Sequence, residues 1–244
     1  LHPKDMKYRF NWNAPIINSP NDPSVFYHGG NVLLRTKDLG KNWEAISPDL
    51  TKHDTAKMGQ SGVPYTNEGA GGENYATLAY VKESSLEKGV IWTGSDDGLV
   101  YLTRDDGKTW TNVTPKGLAE CLVNCIEISP FNKATAYIAT TRYKFNDLTP
   151  AFYKTTDYGN TWTNISDGIP YGAFTRCIRE DDVKKDLLYA GTETGFYISY
   201  NGGKTWKQRQ LNLPVTPITD LMVHNINLSA STMGRAYWIL EDSS

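Results

Sequence analysis

Hydrophobic and polar residues alternate along most of this chain in short runs, each bounded by clusters of Gly, Pro, Asn, Asp or Ser. That is the pattern of half-buried β-strands joined by tight turns. It predicts strands over Leu122–Ser129, Thr135–Thr140, Ala151–Thr155 and Trp162–Ile165, with Pro130-Phe-Asn-Lys turning the first pair. The same sequence of runs returns at Thr175–Glu180, Leu187–Gly191, Phe196–Ser199 and Trp206–Gln210. Two earlier groups open with Pro15–Ser19 and Ala76–Lys82. Ile218–His224, Leu228–Thr232 and Ala236–Leu240 make a last group of three.

Between the third and fourth strand of each complete group lies one motif. It reads Thr36-Lys-Asp38-Leu-Gly40-Lys-Asn42-Trp43, Thr103-Arg-Asp105-Asp-Gly107-Lys-Thr109-Trp110, Thr155-Thr-Asp157-Tyr-Gly159-Asn-Thr161-Trp162 and Ser199-Tyr-Asn201-Gly-Gly203-Lys-Thr205-Trp206. The Asp accepts bonds from backbone N–H groups further on and closes the turn; Asn201 can do so without charge. The Gly permits positive φ where the chain reverses. The Trp offers a large apolar ring to the space between neighbouring sheets. The Asp-to-Asp steps are 67 residues (38 to 105), 52 (105 to 157) and 44 (157 to 201). Removing the polar segment around 52–75 and the loop Arg142–Thr149 brings the longer steps to about 44, the size of a four-stranded propeller blade.

The expected fold is therefore all-β: a β-propeller of four-stranded antiparallel blades, four full and one partial, part of a larger propeller. The blades span approximately 9–51, 76–114, 122–166, 175–210 and 218–240, with an inserted loop at 52–75, in a single propeller segment. A partial ring leaves open sheet edges. The missing strands are expected from the same polypeptide, a partner chain or another copy. The N-terminus Leu1-His2-Pro3-Lys4-Asp5 has no initiator Met and no apolar h-region, which predicts a mature product or an internal fragment.

Composition narrows the chemistry. Charged residues are 21%, the net charge is −2 and aromatics reach 12%, so nothing predicts nucleic-acid binding. No apolar run approaches the ~20 residues that span a bilayer, and no membrane insertion is expected. Cys121, Cys125 and Cys177 are an odd set without metal-ligand spacing, read as buried thiols; an oxidising compartment would permit one disulfide. There is no P-loop, dinucleotide fingerprint, zinc-protease motif or nucleophile elbow. Neither a metal nor a cofactor is expected.

The four boxes resemble the Asp-box (BNR) repeats of sialidases, sortilin-type propellers and xyloglucan-cleaving propeller hydrolases. Longer strings, such as Arg9-Phe-Asn-Trp-Asn-Ala-Pro15, Trp43-Glu-Ala-Ile-Ser-Pro-Asp-Leu-Thr51 and Thr232-Met-Gly-Arg-Ala-Tyr-Trp238, resemble the C-terminal part of the propeller region in large secreted bacterial proteins described as sortilin-like or as glycosyl hydrolases. The resemblance implies a larger parent protein and an extracytoplasmic location. It carries over no catalytic residue.

Propeller geometry places the boxes on one rim, so Asp38, Asp105, Asp157, Asn201 and the tryptophans Trp43, Trp110, Trp162 and Trp206 are read as scaffold. The loops joining second to third strands open on the other face. They bring His28, Asp96, Asp97, Arg142, Tyr143, Glu193 and Arg235 to that rim, and the segment 52–75 adds Glu68 and Glu73. Ordinary solvated turns are the plain alternative for each. Three functions fit. The first is a binding propeller for a peptide, glycan or partner domain, with Arg142 and Arg235 gripping a carboxylate and Tyr143 stacking. The second is a glycoside hydrolase using two carboxylates, Asp97 and Glu193 being the weak candidates; a sialidase-like variant would use Arg142, Arg176 and Arg235. The third is a docking segment of a large surface protein.

Overall fold

The computed structural model describes residues 3–59, 74–224 and 227–241. Glu68 and Glu73, and most of the inserted segment, lie outside the described residues. The first sheet runs β1 (Ile16–Ser19), β2 (Asp22–Gly29), β3 (Leu33–Thr36) and β4 (Glu44–Ala45) in that order. The second holds β5 (Leu78–Glu83), β6 (Ile91–Ser95), β7 (Val100–Thr103) and β8 (Thr111–Asn112). The third holds β9 (Leu122–Ile128), β10 (Ala136–Thr141), β11 (Phe152–Thr155) and β12 (Thr163–Asn164), the fourth β13 (Thr175–Glu180), β14 (Leu188–Thr192), β15 (Phe196–Ser199) and β16 (Lys207–Gln208). The fifth has three strands, β17 (Ile218–His224), β18 (Asn227–Thr232) and β19 (Tyr237–Leu240). All pairs are antiparallel and follow chain order, so each sheet is a simple meander. The strands lie within two residues of the positions that alternation predicts. The chain forms two compact units, Leu1–Val123 and Asn124–Ser244, the boundary falling inside β9.

Three of the five second strands are fully buried: every residue of β6, β10 and β14 is buried. That is why Ile91-Trp-Thr-Gly-Ser95 and Leu188-Tyr-Ala-Gly-Thr192 combine apolar with small residues. In the first unit the core groups Val25, Tyr27, Leu33, Leu50, Leu78, Val81 and Ile91. The three cysteines are buried thiols that form no disulfide among the described residues.

The boxes repeat to within a few tenths of an ångström. Thr103 Oγ1 donates to Asp105 Oδ1 at 2.9 Å and accepts from Gly107 N at 2.9 Å; Asp105 accepts from Thr109 N at 2.8 Å and Thr109 Oγ1 at 2.7 Å. In the first box Asn42 Nδ2 takes the place of the Thr hydroxyl, reaching Asp38 Oδ2 at 2.7 Å. In the fourth, Asn201 Oδ1 accepts from Thr205 N at 3.0 Å while its Nδ2 donates to Thr205 Oγ1 at 2.9 Å. Two consecutive residues are left-handed, Asp106 at φ 61° and Gly107 at 86° in the second box, so the residue before the Gly shares the turn's strain. A Cβ on Gly107 would sit 2.8 Å from Ile46 O, and one on Gly203 would sit 2.7 Å from Ile165 Cδ1. The glycine therefore serves both the turn and the approach to the preceding blade. The Trp completes that approach: Trp110 Nε1 donates to Ile46 O at 2.9 Å, and Trp206 Nε1 to Ile165 O at 2.6 Å.

The box carboxylates link the fold to pH. Hydrogen bonds from Thr109 hold Asp105 down at about 2, and those from Asn42 and Thr161 hold Asp38 and Asp157 below the usual carboxylate range. A folded pKa below the unfolded value of roughly 4 stabilises the fold above that pH, and the contribution disappears as pH falls through the folded pKa. Denaturant unfolding at a series of pH values is expected to lose stability between about pH 4 and 2. Asp105→Asn should flatten that slope, and an unchanged slope would place the acid sensitivity elsewhere.

Candidate functional site

In the first unit the loop rim is a closed polar network. Gly29 and Gly30 are required because a Cβ would approach Pro15 Cγ and Arg9 O to 2.8 Å. This close packing brings Arg9, 1% exposed, beneath the turn. Its Nη2 donates to Asp49 Oδ2 at 2.7 Å and to Thr51 Oγ1 and Ala76 O at 3.2 Å each. Asn31 adds a bond to Asp49 Oδ2 at 3.0 Å. Burial pushes the Asp49 carboxyl up, but hydrogen bonds from Thr51, Arg9 and Asn31 outweigh it and hold the group below its ordinary range.

The acidic pair of the second sheet is spent on the same rim. Asp96 accepts from Thr77 N at 2.9 Å and Thr77 Oγ1 at 3.1 Å. Asp97, 1% exposed, accepts from Ser95 Oγ at 2.5 Å and from Lys52 N at 2.8 Å. Burial raises its pKa. Glu120 accepts from Lys57 Nζ at 2.5 Å and from the Tyr75 hydroxyl. His28 stacks on Phe10 with centroids 4.9 Å apart and keeps Nδ1 3.1 Å from Pro15 O. Asp96 and Asp97 thus tie the loop after β6 to the segment that runs from β4 to β5.

The second unit presents an open platform instead. The loop after β10 makes a 3-10 turn, Tyr143–Phe145, reversed by Asn146 at φ 57°. Arg142 Nε binds Asp147 Oδ2 at 3.0 Å across its base, and its guanidinium lies over the Phe145 ring at 4.9 Å. Tyr143 stacks on Phe174 with centroids 5.5 Å apart and planes 18° off parallel; Phe174 is 7% exposed and Tyr143 44%. Below them β13 carries a bulge between Thr175 and Cys177, leaving Arg176 without a partner on β14. Bulges re-aim a side chain. Here the guanidinium lies over Phe174 at 5.4 Å and binds Glu193 Oε2 at 2.5 Å. The matching bulges of β5 and β17 carry Ala79 and Thr219, so of these three the one in β13 alone carries a long cation.

Three residues singled out from the sequence thus come together through Phe174: Tyr143, Arg176 and Glu193, while Arg142 binds Asp147 and Phe145 of its own loop. Arg235 is exposed on the β18–β19 turn, held by Trp238 Nε1 donating to its carbonyl at 2.7 Å. Phe174 lay outside the sequence reading. It precedes a predicted strand and only the stack reveals its part. Among the described residues no group of three His, Cys, Asp or Glu side chains could hold a metal, and no helix is long and apolar enough to cross a membrane.

The BNR/Asp-box repeat family matches residues 197–208, the fourth box and its flanking strands. No curated protein matches the sequence. Among solved structures, an ancestral GH74 enzyme aligns with TM-score 0.68 and 13% identity, covering 93% of this chain and 28% of that one. The GH74 xyloglucanase of Xanthomonas campestris aligns with TM-score 0.66 and 18% identity (92% and 36% covered), the GH74 enzyme of Niastella koreensis with 0.63 and 16% (93% and 36% covered). The chain thus spans about a third of the length of these structures, and at these identities the likeness is one of fold. Repeat and fold agree: the chain has the Asp-box β-propeller fold, with four antiparallel blades of four strands and one of three.

Proposed function

We propose that the chain binds an extended glycan or peptide on its loop face, at the Tyr143–Phe174 platform. The observation that carries this is the stack itself: an exposed ring fixed on a buried one, with the Arg176 guanidinium over the buried ring. A ring held in this way offers a flat apolar face at little entropic cost. The fold likeness to a xyloglucanase favours a glycan as the first ligand to try. An extracytoplasmic setting and association with further blades, from the same polypeptide or a partner, belong to the same reading.

Hydrolysis is the second reading, favoured by that fold likeness. Against it, Glu193 is tied to Arg176, and Asp97 is closed inside its own turn. Docking within a larger surface protein is the third, and would use the same exposed ring. Calorimetric titration with xyloglucan oligosaccharides, with a peptide library as the second arm, separates them. Expected is binding to one class without release of reducing ends, weakened about tenfold by Tyr143→Ala, the size of a lost aromatic contact. Reducing ends accumulating with the wild-type chain, or binding indifferent to Tyr143→Ala, would overturn the reading.

A further inference from the structure

Within each unit a box tryptophan fills the same socket on the blade before it. Trp206, of the fourth blade, stacks on Phe152 at the start of β11 with centroids 5.7 Å apart. Its Nε1 donates to Ile165 O, three residues past the third box. Trp110, of the second blade, donates to Ile46 O, three residues past the first box, and packs on the cluster that holds Leu33 at the start of β3. The socket therefore has two parts, the first residue of a third strand and the carbonyl three residues past the box Trp. Ile46 N donates to Leu33 O and Ile165 N to Phe152 O, each at 2.9 Å, and this bond holds the two parts together.

The fourth blade offers both parts again. Phe196 opens β15, Arg209 stands three residues past Trp206, and Arg209 N donates to Phe196 O at 2.9 Å. Here Phe196 and Arg209 line an open cleft, walled by Leu228, Trp238 and Leu240 of the fifth sheet. Trp238 gives its own N–H to Arg235 O, and no box tryptophan donates to Arg209 O among the described residues. The edge beside the cleft is free as well. β3, β7, β11 and β15 each pair with a fourth strand, whereas β19 pairs with β18 alone among the described strands. Register places Tyr237 where Phe196 stands and Ile239 where Ile198 stands. Phe196 O faces the fourth strand, and alternate residues of a strand face the same neighbour, so the backbone groups of Ile239 face the free edge. Ile239 is 68% exposed and Ile198 5%.

We infer that this cleft and edge dock a β-strand that carries an Asp-box tryptophan: the ring enters onto Phe196, its N–H bonds Arg209 O, and the strand adds to β19. The sibling blades supply the rest of the occupant's chemistry. Ser47, Thr114 and Ser166, four residues past their box tryptophans, accept from the first N–H of the third strand, at Leu33, Val100 and Phe152, at 2.8, 2.9 and 2.8 Å. A hydroxyl in that place would meet Tyr237 N. Strand addition draws affinity from main-chain bonds and specificity from a side-chain pocket beside the edge. The inference rests on the proposed association with further blades, to which it gives an anchor, and not on the Tyr143–Phe174 platform.

The probe is a synthetic, fluorescently labelled peptide of residues Thr103–Thr114, the second box with its strand, titrated into the full chain and followed by anisotropy. It should bind, and its Trp110→Ala form should bind roughly tenfold more weakly or worse, the size of a lost aromatic contact. Val113→Pro in the peptide should weaken binding as well, because that N–H donates to Val100 O at 2.9 Å in its own blade. In the chain, Ile239→Pro should weaken binding with an unchanged urea unfolding curve; if that variant does not fold, the two peptide variants decide. Tyr143→Ala should leave binding unchanged, and a loss there would move the peptide to the platform and overturn the inference. Equal binding of the Trp110→Ala peptide would overturn the socket and leave association with further blades standing, while no binding of any peptide would overturn both. The chain alone should sediment as a monomer. A dimer dispersed by Ile239→Pro would put a second copy on this edge and overturn the docking of a box strand.

Discussion

Asp49→Ala is expected to destabilise the chain by about 3–5 kcal/mol, the cost of leaving a buried charge without its partner. Arg9 is 1% exposed, and Asp49 at 2.7 Å is the one carboxylate it pairs with among the described residues. Its remaining bonds, to Thr51 Oγ1 and Ala76 O, supply dipoles but no charge. Removing both charges together should cost far less, because an apolar pair of similar volume avoids the desolvation of the guanidinium. Arg9→Met/Asp49→Leu is therefore expected to recover most of the loss. Urea unfolding of the wild type, the single variant and the double variant measures this. A single variant within about 1 kcal/mol of the wild type would mean that the network, not the ion pair, holds Arg9.

The second large effect belongs to Trp206. Its ring is 6% exposed, stacks on Phe152 with centroids 5.7 Å apart, and donates its N–H to Ile165 O at 2.6 Å. Trp206→Ala removes ring and bond together and should cost about 3–5 kcal/mol. Trp206→Phe keeps much of the packing and should cost closer to the roughly 1 kcal/mol of one hydrogen bond, plus a small cavity. Trp43, in the same place of the first box, is 39% exposed, and Trp43→Ala should cost clearly less than Trp206→Ala. Similar losses at both positions would show that the Trp acts through its own turn rather than through the neighbouring blade.

The strands and turns were legible in the sequence because their causes are local. The Asp and Thr of each box bond within four residues, and alternation depends only on neighbours along the strand. One local detail still escaped: Leu39, Asp106 and Tyr158 share the left-handed turn with the glycine after them. The loop rim was legible as a list of residues and not as a set of partners. Arg9 meets Ala76 across 67 positions, Asp97 meets Lys52 across 45, and Arg176 meets Glu193 across 17. No periodicity links such residues. The aiming of Arg176 also depends on a bulge, which a one-residue register shift creates and alternation cannot reveal. Asp97 was picked out for its carboxylate, while its burial follows from Lys52 N closing over it, in a segment that reads only as polar.

The box also bears on how such a chain diversifies after duplication. Each copy carries its own closing chemistry within eight residues, and its tryptophan asks of the neighbour only a carbonyl and an apolar seat. A newly copied blade can therefore be accommodated before anything else about it changes. The charges flanking the box are under no such requirement: Asp106 and Gly202 occupy one position, Glu44 and Thr163 another, and all four turns close alike. Drift at those flanking positions would let sibling blades take on different surface chemistry while the turn beneath them stays the same.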